Sequence, residues 1–155
     1  MKARELMTAK PACCTPQDTV RKAAQLMRKH DCGCIPVVED EESNRVVGMI
    51  TDRDIACRCT ADGMGPDTLV QQVMSRDPTS CGSDDDVDAV EKIMIEKQVR
   101  RVPVVDSEGC CVGMIAQADL VLNHSAASER EVRTIVERIS EPAHQSGAAS
   151  AGRGR

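Results

Sequence analysis

The sequence predicts an α/β (α+β) fold made of two pseudo-symmetric β-α-β-β-α motifs, and three observations carry that expectation. First, the stretch CIPVVEDEESNRVVGMITDRD, from Cys34 to Asp54, returns in altered form as RVPVVDSEGCCVGMIAQAD from Arg101 to Asp119. Second, Met7, Pro11, Cys14, Val20, Met27, Pro36 and Val37 match Met74, Pro78, Cys81, Val87, Met94, Pro103 and Val104 at one constant offset, with Ala23 facing Val90. Third, each copy has the same order: a β-branched strand entered through proline, a polar turn, a strand ending in Gly-Met-Ile, and a helix. After the turn the offset between Gly48 and Gly113 is shorter by two residues, so the second copy has the tighter turn. Two copies are too few for a solenoid and imply a closed pair.

In chain order, Met1 to Met7 reads as a lead-in with a short helix, and Pro11 to Thr15 as a brief extended segment. Asp18 occupies an N-cap position. Val20, Ala23, Ala24 and Met27 recur at helical spacing through His30, and the helix ends near Gly33. Ile35 to Val38 and Val46 to Ile50 are strands around the polar turn 39–44, and Thr51 opens a helix reaching about Cys59. The second copy repeats this with an extended segment near Ser80, a helix from Asp86 to Lys97, strands at Val102 to Val105 and Cys111 to Ile115, and a helix from Gln117. These boundaries divide the chain into a first motif (1–60), a linker (61–72), a second motif (73–124), a C-terminal helix (125–140) and a disordered tail (141–155). Val132, Ile135, Val136 and Ile139 share one face of that C-terminal helix, which therefore needs a surface to cover. The small, polar, Gly-rich tail is the expected disordered segment.

With 155 residues, the chain can bury a core without staples, yet it has no Phe, Tyr or Trp. Many small side chains must replace a few large ones. A net charge of −5 argues against nucleic acid as partner, because backbone affinity comes from clustered Lys and Arg, and absent aromatics remove the base-stacking platform. No apolar run is long enough to span a membrane and no signal-peptide core is present, so the expected setting is cytoplasmic, without membrane contact. Nine cysteines then read as reduced, buried thiols. Cys13-Cys14, Cys32-x-Cys34, Cys57-x-Cys59 and Cys110-Cys111 are too irregular for a zinc ribbon or redox motif. His30 beside Cys32 and Cys34 permits a metal site without requiring one, and no metal is expected.

Chemistry is expected where Thr51, Asp52, Arg53 and Asp54 follow Gly48 at a strand-to-helix junction. Amide donors and the positive end of the helix dipole favour phosphate there, with Thr51 donating to it and Asp54 accepting from ribose hydroxyls. The competing role is a capping box between Thr51 and Asp54. Arg100 and Arg101 either present one guanidinium to a phosphate or form a surface pair balancing nearby acids. Asp84, Asp85 and Asp86 read as a solvated helix start. No nucleophile with an identifiable base and no Walker loop is visible, and two of the three histidines, His124 and His144, lie in or beyond the C-terminal region; no enzyme is expected.

Paired copies with an apolar-Pro-Val-Val strand and a Gly-x-x-Thr-x-x-Asp turn resemble the cystathionine β-synthase (CBS) domain family over nearly all of Arg4 to Asn123. TDRDI in the first copy and QVRRVPV in the second resemble its short, stand-alone bacterial pairs. The resemblance implies sheets packed face to face with two clefts, and homodimers shaped as a disc of four motifs. It also implies an adenosine-containing regulatory ligand such as AMP, ADP, ATP or S-adenosylmethionine. The main site would use Thr51, Asp54 and Arg53 with Ile35, Pro36, Cys14 and Thr15; a weaker one would use Asp119 with Val102, Pro103, Arg101 and Cys81. Ala116 and Gln117 stand where the first copy has Thr51 and Asp52, which weakens phosphate binding at the second site. Which segments pair in one cleft stays open at this stage. So do a cysteine-based redox or metal sensor, a structural dimer with empty clefts, and an unidentified protein partner.

Overall fold

The computed structural model describes residues 1–123 and 129–141. The helices are α1 (Ala3–Leu6), α2 (Val20–His30), α3 (Asp52–Asp54, continued by a π-helical turn over Ile55–Thr60), α4 (Val87–Lys97), α5 (Gln117–Asn123) and α6 (Glu129–Ser140). The strands are β1 (Thr8–Ala9), β2 (Cys34–Val38), β3 (Val46–Thr51), β4 (Ser75–Arg76), β5 (Cys81–Gly82), β6 (Arg101–Val105) and β7 (Cys111–Ala116). Helix α2 is capped by Thr19, whose Oγ1 accepts from the Lys22 N–H at 3.2 Å, and not by Asp18. Asp18 instead accepts from the Thr15 N–H at 2.8 Å and pairs with Lys22 at 3.0 Å, fixing the turn before the helix. Asp86 flanks α4 at the equivalent position.

Two short strands lay outside the sequence reading, and they organise the fold. The sheets run β1-β7-β6-β5 and β2-β3-β4. Strand β1, at the start of the first copy, pairs with the second copy's β7, Thr8 opposite Met114 and Ala9 opposite Gly113. Strand β4 pairs in return with β3, Ser75 opposite Met49 and Arg76 opposite Gly48. The copies exchange lead-ins. The Val87 N–H donates to the Met1 carbonyl (3.0 Å) and Val20 to Thr68 (2.8 Å), so each lead-in also ties down the first turn of the other copy's helix.

The cores follow the exchange. Ala3 and Leu6 pack with Cys81, Val87, Val90, Met94, Val102, Val104 and Ile115 of the second copy. Val70, Val73 and Met74 pack with Cys14, Val20, Ala23, Met27, Ile35, Val37 and Ile50 of the first. Cys34, Met49 and Met114 form a third cluster where the two sheets meet. All five residues of β2 are buried, and its alternating aliphatics fill both faces. Pro36 is tolerated because its carbonyl accepts from Cys14 N–H (3.1 Å) on the side where its missing N–H would have faced, and pairing there is reduced to a single bridge.

Helix α6 covers the second copy. Ile135 and Ile139 are buried in its core beside Leu120, whereas Val136 stays 37% exposed. A hydrogen bond also holds the helix down: the Gln98 amide donates to the Arg138 carbonyl at 3.0 Å. The expected disordered tail falls, apart from Glu141, outside the described residues.

Gly48 and Gly113 allow the exchanged strands to approach. A Cβ on Gly48 would lie 2.7 Å from the Ser75 carbonyl oxygen and 3.0 Å from the Met74 sulfur; on Gly113 it would strike Met7. Backbone cannot yield as a side-chain tip does, so Gly48→Ala should destabilise by about 1–3 kcal/mol. Chemical denaturation followed by far-UV circular dichroism measures this, and a variant as stable as the parent would contradict the close approach.

Candidate functional site

The exchange determines what can face what. A cavity of about 500 Å³ opens beside the junction of the sheets. One wall is the first copy's Thr8 to Ala12 segment, the end of α2 at His30 to Cys32, and the start of β2 at Cys34 and Ile35. The opposite wall is Arg101, Met114, Ala116 and Asp119 of the second copy. Asp119 thus shares a space with the first copy's strand start, and Arg101 is exposed within reach of it. The remaining expected contacts lie elsewhere: Cys14, Pro36, Cys81, Val102 and Pro103 are buried, and Thr15 is half-buried in the turn held by Asp18.

Thr51 and Asp54 form the capping box in full. The Asp54 N–H donates to Thr51 Oγ1 (3.0 Å), and the Thr51 N–H donates to Asp54 Oδ2 (2.9 Å). Arg53 points to solvent, and Arg58 approaches Asp54 Oδ1 at 3.8 Å. In the second copy the half that survives in sequence survives in space: Asp119 Oδ2 accepts from the Ala116 N–H at 2.7 Å. An ionised carboxylate has acceptor capacity beyond one such bond, so capping and ligand contact are compatible.

Cys34 and Arg101 are equivalent residues of the two copies and are electrostatic neighbours. Burial pushes the Cys34 thiol up to about 12, the Arg101 guanidinium opposes this, and the Asp54 carboxylate adds to it. Both junctions therefore converge on this pair. Arg100 faces another groove, with Gln117, Val121 and Val136, while its carbonyl accepts from the Gln117 N–H at 2.8 Å. The acidic run is structural: Asp86 pairs with Lys2 at 2.9 Å, Asp84 with Arg4, and Asp85 accepts from the Gly82 N–H at 2.7 Å. The Lys2 and Arg4 pairs anchor α1 to the copy that it covers.

Burial also pushes the Cys14 thiol up to about 12 and Cys81 to about 11, which suits small core hydrophobes. Among the described residues, no three of His, Cys, Asp and Glu gather as a metal site, His30, Cys32 and Cys34 included. Nor is any helix among them long and apolar enough to cross a membrane. The wall that sequence reasoning missed, Thr8 to Ala12, had a signal in the matched Pro11 and Pro78, but which copy it served was invisible.

Two predictions test the local geometry. Burial raises the Asp18 carboxyl, yet the Thr15 N–H and the Lys22 ammonium outweigh it and hold the group below its ordinary value. A depressed carboxyl contributes stability that is full above its unfolded value, about pH 4, and is lost as pH falls through the folded value. Asp18→Asn should lower the thermal midpoint at neutral pH and flatten its decline below about pH 4; an unchanged acid profile would refute this. Thr51→Ala should cost about 1 kcal/mol through loss of the cap, read by urea denaturation.

Comparison with known proteins gives a consistent set of relatives. The family model for the CBS domain matches residues 3–58 and 70–124. The chain is 39% identical over 120 residues to the CBS domain-containing protein YhcV of Bacillus subtilis, covering 77% of this chain and 83% of that protein. It is 38% identical over 119 residues to hypoxic response protein 1 of Mycobacterium tuberculosis, covering 76% and 81%. A crystal structure of Hypoxic Response Protein I with two coordinated zinc ions superposes with a TM-score of 0.71 at 33% identity, over 79% of this chain and 98% of that one. The CBS domain pair of protein MJ0100, crystallised with 5'-methylthioadenosine and S-adenosyl-L-methionine, gives a TM-score of 0.73 at 25% identity, over 83% and 98%.

Proposed function

Because the chain belongs to the CBS domain family, as a tandem pair, we propose that it is a non-catalytic regulatory module that binds an adenosine-containing ligand between its two copies. One observation carries this reading: a cavity of about 500 Å³ in which an apolar strand start of one copy faces a carboxylate and a guanidinium of the other. That volume suits a small organic ligand. Cys34, Ile35, Pro11 and Ala12 offer an apolar surface to a base, Asp119 an acceptor to ribose hydroxyls, and Arg101 a multidentate donor to a phosphate. The MJ0100 pair, bound to two adenosine derivatives, lends support to the ligand class.

The pseudo-symmetry that relates Asp119 to Asp54 supports a second, equivalent site at Thr51 and Asp54, where the hydroxyl would restore a phosphate donor. Cys34 is an electrostatic neighbour of both Arg101 and Asp54, so a ligand in the observed cavity acts close to the Thr51–Asp54 junction. Signalling requires that the ligand bind one arrangement of the copies better than another. The output proposed is a change at a homodimer surface or at a protein partner, within the cytoplasm.

Thermal unfolding with AMP, ADP, ATP or S-adenosylmethionine tests the proposal, followed by dye because the chain lacks Trp and Tyr. At about one hundred times its dissociation constant the ligand should add roughly 2.7 kcal/mol of stability. Asp119→Asn, which keeps an acceptor for the Ala116 N–H, should remove the shift if the observed cavity is the working cleft, and Asp54→Asn should remove it if the equivalent one is. No shift with any of the four ligands, in protein that unfolds cooperatively, would overturn the nucleotide reading. Sedimentation velocity with and without ligand tests the dimer.

A further inference from the structure

The helix faces of the two copies are finished differently. On the second copy, α6 packs on α4 and α5 and buries Ile135 and Ile139 beside Leu120, with Ile95 against the same cluster. On the first copy the matching helices are α2 and α3. Val20, Arg21, Ala24 and Arg28 take the places of Val87, Asp88, Glu91 and Ile95, and Ile55 that of Leu120. No helix among the described residues lies across that face. A groove of about 560 Å³ runs there instead, floored by Val20, Ala24, Ile55 and Met64 and rimmed by Arg21 and Arg28. The linker closes one end of it, where the Arg21 N–H donates to the Pro66 carbonyl at 3.2 Å.

We propose that this groove docks an acidic amphipathic helix of a protein partner, held as the second copy holds α6. Two observations point to that chemistry. The first is the seat of α6 itself, where isoleucines one turn apart fill the matching place, so a helix with an apolar stripe is the shape this face accepts. The second is charge. Helix α2 carries Arg21, Lys22, Arg28 and Lys29 and no acidic residue. Lys22 pairs with Asp18 at 3.0 Å and Arg21 with Asp67 at 3.3 Å, which leaves Arg28 and Lys29 exposed without a carboxylate partner among the described residues. Carboxylates beside an incoming apolar stripe would meet that rim, whereas a basic helix would be repelled by it.

Another molecule of this protein suits the groove less well. Placed groove to groove, it would set Arg28 and Lys29 against their own counterparts, and its second copy already carries α6 on the matching face. The groove shares no residue with the cavity between the copies, so a result at one leaves the other untouched. The two are nevertheless adjoining. Helix α2 ends at His30, which lines the cavity, and Ile55 follows Asp54. A docked helix therefore rests on the two helices that reach the candidate ligand sites.

The probe is a fluorescein-labelled peptide of the α6 sequence, Glu129–Ser140, carrying Arg130→Glu, Arg133→Glu and Arg138→Glu, titrated with the full chain and followed by anisotropy. It is stapled on its polar side, because so short a helix is marginal alone in water. Binding should be saturable, tighter than that of the same peptide with its arginines, and abolished by Ile135→Ser with Ile139→Ser in the peptide. Ala24→Glu changes an exposed position where the second copy already carries Glu91. It should keep the parent's thermal transition and weaken binding about tenfold or more, by setting a carboxylate in the groove. Arg28→Gln should weaken binding about three- to fivefold and make it less sensitive to salt. Absence of binding, or binding that Ala24→Glu leaves unchanged, would overturn the inference. So would a parent dimer that Ala24→Glu converts to monomer in sedimentation velocity, because the groove would then belong to a second molecule of this chain.

Discussion

The reciprocal exchange of lead-ins is the constraint on which the rest of this structure depends. Neither copy has a complete sheet or a closed core alone: the first lacks the edge given by Ser75 and Arg76, the second that given by Thr8 and Ala9. Leu6 and Val73, at matched positions, each finish the other copy's hydrophobic cluster. Fully burying one such aliphatic side chain is worth about 1.5–3 kcal/mol, and each lead-in contributes several. The copies are therefore obligate halves of one folding unit, and the absence of side chains at Gly48 and Gly113 is what lets the exchanged strands come close enough to pair.

The same exchange makes the cavity composite. A segment that begins in the first copy, runs along the second copy's β7 and returns forms a wall across from Asp119 and Arg101. Any relative movement of the copies must alter that space. A ligand that spans it acts on the junction directly, with no need for a chain of couplings through the cores.

Packing without aromatic rings puts sulfur to unusual use. Cys14 and Cys81 occupy equivalent places beside the proline strands as small hydrophobes, and Cys34 lies with Met49 and Met114 where the sheets meet. Their thiols are pushed up by burial and are chemically quiet.

Much of this protein was determined by the sequence alone: the duplication, the proline-led strands, the helices on Val20 to His30 and Val87 to Lys97, the Thr51–Asp54 box and the amphipathic C-terminal helix. Each is a local pattern, set by side-chain period, capping chemistry or proline geometry within a few residues, so it is legible without the fold. Only the tertiary structure decided the partners across distance. Strands of two residues carry no periodicity, and nothing in Thr8-Ala9 or Ser75-Arg76 says which copy they will join. For the same reason the grouping of Asp119 with Cys34 and Ile35, the separation of Arg101 from Arg100 and the seat of α6 on the second copy could not be read from spacing. Pairing over long separations is chosen by what the whole chain can bury and hydrogen-bond at once, and that choice exists only in the folded molecule.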